Sequence, residues 1–170
     1  PFATYSLLLA LVFLGGGVAT AMRSVATSEA RAAQWAFWAA VVPLGVLMTS
    51  WLTLGNLDID WRYALAGLAL TAALAAGAEC GGRAEPQSQT GGWAVSCLVA
   101  GATASFCFAL MCAFGPALTT ILTGIAAAVP AALTRSRSWP VLGWASVGLA
   151  FVTLARWRAE AGAKPELVHT

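Results

Sequence analysis

Apolar residues in this chain come in long unbroken runs, and polar residues are confined to the short joints between them. Neither helical nor strand-like alternation organises the runs, as it would in the half-buried elements of a water-soluble domain. A run of about 18 or more apolar residues reads as a transmembrane helix, because ~20 helical residues cross the hydrocarbon core. The pattern predicts a first span over residues 4–22 and a second over 32–55, with Pro43 near its centre. In a membrane helix such a proline usually makes a kink, tolerated because neighbours satisfy the freed carbonyl. A third span, short and rich in Ala and Leu, covers 63–79. Residues 93–134 then stay apolar for longer than one crossing needs. Phe114-Gly115-Pro116 is the natural break, since glycine ends helices and proline starts them. That gives a fourth span over 93–113 and a fifth over 116–134, and a sixth follows over 140–157. The joints read RSVATSEAR, NLDIDWR, RAEPQSQTGG and Arg135-Ser136-Arg137. The expected fold is an all-α integral membrane protein. About six transmembrane helices form one domain over 1–158, with no soluble domain and a polar tail over 159–170.

Composition sharpens this reading. The chain is 59% hydrophobic and only 9% charged, against about 25% charged in a soluble domain. A water-facing surface could not be covered with so few charges. The net charge of +2 is spread singly or in pairs at the ends of apolar runs, with no polybasic stretch to bind phosphate backbones, so nucleic acid is excluded as a partner. No charged segment precedes the first run, so no intact signal peptide is expected. Trp38, Trp51, Trp61, Trp93, Trp139 and Trp157 fall at or near proposed span ends, as an interfacial belt would. Trp61, Trp93, Trp139 and Trp157 are the expected interface anchors. Arg23, Arg31, Arg83, Arg135 and Arg137 share one side of a six-span topology; Arg62, Arg156, Arg158 and Lys164 share the other. The excess is one residue, so positive charge orients the chain only weakly, with both termini leaning to the non-cytoplasmic side. A bacterial inner membrane or an organellar membrane suits the chain equally.

Small residues are the expected packing positions. Gly15, Gly16 and Gly17 stand in the middle of the first span; Gly101 with Ser105, and Gly124 with Ala128 and Ala132, recur at four-residue spacing. In lipid, helices associate through such positions because backbones can then approach closely. The same faces serve packing within the chain or docking of another subunit.

Catalytic chemistry is missing from the spans. No Asp, Glu, Lys, Arg or His lies in the middle of any of them. A charge at the bilayer centre costs on the order of 2.5–3.5 kcal/mol even by lenient scales, so it is retained for function. Proton pumps, ion-coupled carriers and voltage sensors need such groups. His169 sits in the tail, far from any haem-binding position. Cys80, Cys97, Cys107 and Cys112 form no CxxC pair and no metal-ligand spacing, and Met22, Met48 and Met111 read as packing. Asp58 and Asp60 are two apart beside Arg62 and read as solvated loop charges rather than an acid–base pair. Glu79 and Arg83 read as an ion pair at a helix end. Hydroxyls at membrane depth, Thr119, Thr120, Thr123 and Ser146 among them, bond to helix carbonyls or line a narrow path for a small neutral solute.

Several stretches are similar to parts of the microbial rhodopsins. The first two spans, the RSVATSEAR link and Pro43 resemble that family's opening helix pair. Arg62-Tyr63 resembles the Arg-Tyr that opens its third helix, and GIAAAVP, ending at Pro130, with ASVGLA, beginning at Ala145, resembles its last two helices. The resemblance implies a retinal-binding bundle, and the departures remove the retinal. Leu65 stands where the family has its counterion Asp, Ala66 where it has a pocket Trp, and Ser146 near where it has the retinal-bearing Lys. Six spans stand where the family has seven. Without that lysine no retinal Schiff base forms, so the resemblance implies a chromophore-less relative.

The expected function is therefore a non-enzymatic accessory or structural subunit of a larger membrane complex, of respiratory or photosynthetic type. Its partners are membrane lipids and other membrane subunits. No cofactor is demanded by the residues, although apolar walls are compatible with contact to lipids or pigments. A transporter or channel for a small neutral solute is the alternative from the hydroxyl positions, and a chromophore-less rhodopsin-like protein the alternative from the resemblance.

Overall fold

The computed structural model describes residues 2–25, 28–54, 59–84, 92–128 and 140–162. These residues are overwhelmingly helical, and no strand occurs among them. Among the described residues six helices follow one another: α1 (Phe2–Val25), α2 (Glu29–Leu54), α3 (Trp61–Ala84), α4 (Trp93–Ala113), α5 (Pro116–Ala126) and α6 (Pro140–Gly162). Three of them, α2, α3 and α4, are long and apolar enough to cross a membrane. At 26, 24 and 21 residues they measure roughly 39, 36 and 32 Å along their axes.

The third helix is longer than the short apolar run suggests. It starts at Trp61 and continues to Ala84, past Gly77 and through Gly81-Gly82. The Glu79–Arg83 pair, one turn apart with Nε to Oε1 at 3.1 Å, spans this last turn. The sixth helix likewise runs on to Gly162, into what reads from composition as the tail. The fifth helix ends at Ala126 after 11 residues, with Ala127 as its C-cap, and so is shorter than the expected span over 116–134, of which 129–134 lie outside the described residues. Helix α2 is continuous through Pro43, which is buried.

Packing joins α1 to α2, α2 to α4, α4 to α3 and α3 back to α1, so the first four helices form a closed ring. Helices α5 and α6 pair with each other and rest on α4. The main core is built from Ala32, Ala36 and Ala40 of α2, Leu70, Leu74 and Ala78 of α3, and Ala94, Leu98 and Ala102 of α4. Each set repeats every four residues, so each marks a single stripe along its helix. A second cluster near one end joins Trp51, Ala64, Phe108 and Cys112. There the Trp51 and Phe108 rings meet edge to face, with centroids 5.8 Å apart. Trp51 therefore belongs to the bundle interior rather than to an interfacial belt.

The distribution of side chains is inverted relative to a water-soluble bundle. Alanine and glycine dominate the inner stripes, whereas Leu65, Leu68, Met48, Leu118, Ile121, Ile125, Trp144, Val147, Phe151 and Leu154 point outward. In water, large apolar groups go inside and contiguous exposed apolar surface is kept small. In lipid the outside is as apolar as the inside, and close backbone approach decides what goes between helices.

Candidate functional site

Four places gather the polar and small groups that could carry function. The first is the set of close crossings. A Cβ placed on Gly17 would lie 2.8 Å from the Cβ of Ala39, so α1 and α2 touch there through backbone. Gly101 of α4 abuts Ala40 of α2, and a side chain on it would also meet Leu74 at 3.2 Å. Gly67 faces Ala109 at 3.0 Å, and Gly77 faces Val18 at 3.2 Å. Gly15 and Gly16 face open space, since three successive residues point in directions about 100° apart and cannot share one neighbour. Gly124 lies in ordinary contact with Thr153 of α6. Ala128 is exposed, and Ala132 lies outside the described residues.

The second place is the end of the bundle where α2, α3 and α4 meet. Asp60 precedes α3 and accepts the backbone N–H of Arg62 on Oδ1 at 2.8 Å, which makes it the N-cap of that helix. The backbone N–H of Asp60 donates to the carbonyl of Cys112 at 2.9 Å, tying the start of α3 to the end of α4. The hydroxyls of Ser50 and Tyr63 lie 3.0 Å apart and join α2 to α3. Asp60 thus has a structural role; Asp58 lies outside the described residues, so the pair is not seen together. At the opposite end Glu29 accepts the backbone N–H of Trp93 at 3.3 Å, which places a carboxylate at the start of α4, where the helix dipole favours it.

The third place is the α4–α5 junction. Thr119 is buried, and its hydroxyl lies 3.2, 3.1 and 3.0 Å from the carbonyls of Leu110, Phe114 and Gly115. Thr123 donates to the carbonyl of Thr119, and Ser146 of α6 donates to that of Ala127 at 2.9 Å. Elsewhere Thr71, Thr103, Ser105 and Thr153 each donate to the carbonyl four residues back, at 2.8 to 2.9 Å. Among the described residues no buried side-chain polar atom lacks a partner. A solute path needs hydroxyls turned toward it, and these are turned to backbone carbonyls.

The fourth is an open cleft of about 780 Å³ between α2 and α3, bordered by Ala10 of α1. Its walls are mostly apolar, and Thr53, Asp60 and Arg62 stand at one end. No group of three or more His, Cys, Asp or Glu side chains able to hold a metal occurs among the described residues. All four cysteines are free. Glu79 and Arg83 are paired at the surface, worth at most about 1 kcal/mol. Of the expected anchors, Trp61 and Trp93 are exposed at opposite ends of the bundle. Trp139 lies outside the described residues, as does the side chain of Trp157. Leu65, which the rhodopsin resemblance equates with a counterion, points outward at 54% exposure, away from any internal pocket.

No family model, curated protein or solved structure matches this chain. The functional reading therefore rests on the residues and their arrangement alone.

The four-residue stripe Ala32–Ala36–Ala40 and the contacts of Gly67 and Gly77 escape a reading that attends to glycine clusters. The spacing that would have found the alanine stripe is present in the sequence.

Proposed function

We propose that the chain is a multi-pass integral membrane protein of about six spans that serves as a non-catalytic structural subunit of a larger membrane assembly. The observation that carries this reading is the inverted packing. Small residues close the interior, and the large apolar side chains form an outward surface that lipid or neighbouring helices must cover. Helices α1 and α6, at 24 and 23 residues, have the length to cross alongside α2, α3 and α4. Exposed Trp61 and Trp93 at opposite ends suit the two interfaces. The partner-facing surface is assigned to the α5–α6 pair. It rests on the ring through α4 and presents Ile121, Ile125, Val147 and Phe151 outward.

Purification from source membranes in mild detergent, followed by native electrophoresis and mass spectrometry, tests the reading. Co-migration with a larger membrane assembly is expected. An absorption spectrum of the same sample shows whether that assembly carries pigment. A particle containing this chain alone would overturn the subunit assignment.

A further inference from the structure

The cleft between α2 and α3 is graded along the helix axes. Its apolar part is lined by Val42, Gly45, Val46 and Ala66, and its mouth by Thr53, Asp60 and Arg62. The stretch of α2 that borders it, from Val41 to Leu54, rises about 20 Å, which matches one leaflet: ~15 Å of hydrocarbon plus the start of the headgroup layer. At the mouth the donors are unequally committed. The Thr53 hydroxyl already donates to the carbonyl of Thr49 at 2.8 Å, and the Ser50 and Tyr63 hydroxyls engage each other. Asp60 is occupied with the N–H of Arg62. The Arg62 guanidinium lies over the Trp61 ring at 6.0 Å and pairs with no carboxylate among the described residues, leaving its N–H fork for an outside anion. Gly45 leaves the trough open: a Cβ there would meet nothing within 4 Å.

We propose that this cleft holds one phospholipid. An acyl chain lies along Gly45 and Val46, and the phosphate is bound by Arg62. An apolar trough ending in a guanidinium that has no carboxylate partner among the described residues fits that chemistry, because arginine binds phosphate oxygens bidentately and the acyl chain packs along the apolar wall. The site rests on the membrane reading above but not on the subunit reading.

The test uses the full chain, purified, stripped of lipid and incubated with phosphatidylglycerol, with diacylglycerol of the same chains, or with inorganic phosphate. Native mass spectrometry then reads the bound mass. One phospholipid per chain is expected, with diacylglycerol about tenfold weaker and inorganic phosphate not retained. Gly45→Leu fills the trough without a clash and abolishes retention. Arg62→Gln lowers phospholipid retention to that of diacylglycerol. Gly15→Leu, also at an open position, leaves retention unchanged. Retention by Gly45→Leu equal to that of the parent chain overturns the site, as does absence of retention by the parent chain. Equal binding of phospholipid and diacylglycerol overturns the phosphate contact. Resistance of the parent chain to alkaline carbonate extraction, measured on the same membranes, separates the two readings. If the chain resists extraction but retains no lipid, only the site fails; if it is washed free, the membrane reading fails as well.

Discussion

Gly101 has a neighbour at Cβ distance that leaves no room for a side chain, because Ala40 of α2 occupies that space. Replacing it by valine forces α2 and α4 apart. The expected loss is about 1–3 kcal/mol, the usual cost of overpacking a tight contact, read from unfolding by sodium dodecyl sulfate in mixed micelles. Gly15→Ala serves as the comparison: its Cβ meets nothing, and removing a helical glycine stabilises by about 0.5–1 kcal/mol. An equal loss in both variants would mean that the crossing at Gly101 does not hold the helices together. The buried hydroxyls allow a similar contrast. Ser105 donates to the carbonyl of Gly101 in its own helix, so Ser105→Ala is expected to cost about 0.6 kcal/mol. Thr119 sits within reach of three carbonyls at the break between α4 and α5, and one of them, Leu110, belongs to the neighbouring helix. Thr119→Val is therefore expected to cost more, about 1–3 kcal/mol, in the same unfolding assay.

Helix ends in this bundle are tied by carboxylates from short joints. Asp60 caps α3 through the Arg62 N–H, so Asp60→Ala is expected to lower stability by about 1 kcal/mol while Asp60→Asn retains most of it. Equal losses in the two variants would argue that charge rather than capping matters there. The helical fold was legible in the sequence because apolar runs of membrane length admit few alternatives, and the α4–α5 break was legible because Gly115-Pro116 both ends and starts helices. The end of α3 was not, because hydropathy falls after Gly77 while the helix continues with the support of the Glu79–Arg83 pair. Trp51 was misread from its place near the end of the run. What decides its fate is the helix face: it stands about three turns beyond Ala40, on the same inner stripe. The polar cluster of Ser50, Tyr63 and Asp60 was illegible for another reason. It is assembled from two helices and a joint, and single-chain spacing carries no information about which helix ends meet.

The whole molecule is organised from the outside in. Leu74 and Val95 are fully buried, whereas Trp144 and Phe151 are 75% and 72% exposed, and the residues between helices are mostly alanine and glycine. Such a surface would aggregate in water, and the same surface is at rest in hydrocarbon. Photolabelling in native membranes with a carbene reagent that partitions into the acyl region, mapped by peptide mass spectrometry, tests this most directly. The account predicts labelling at Leu65, Leu68, Val147 and Phe151, with protection of Ala36, Leu74 and Val95. Labelling of the inner stripe with protection of the outer residues, or no labelling of either set, would contradict it.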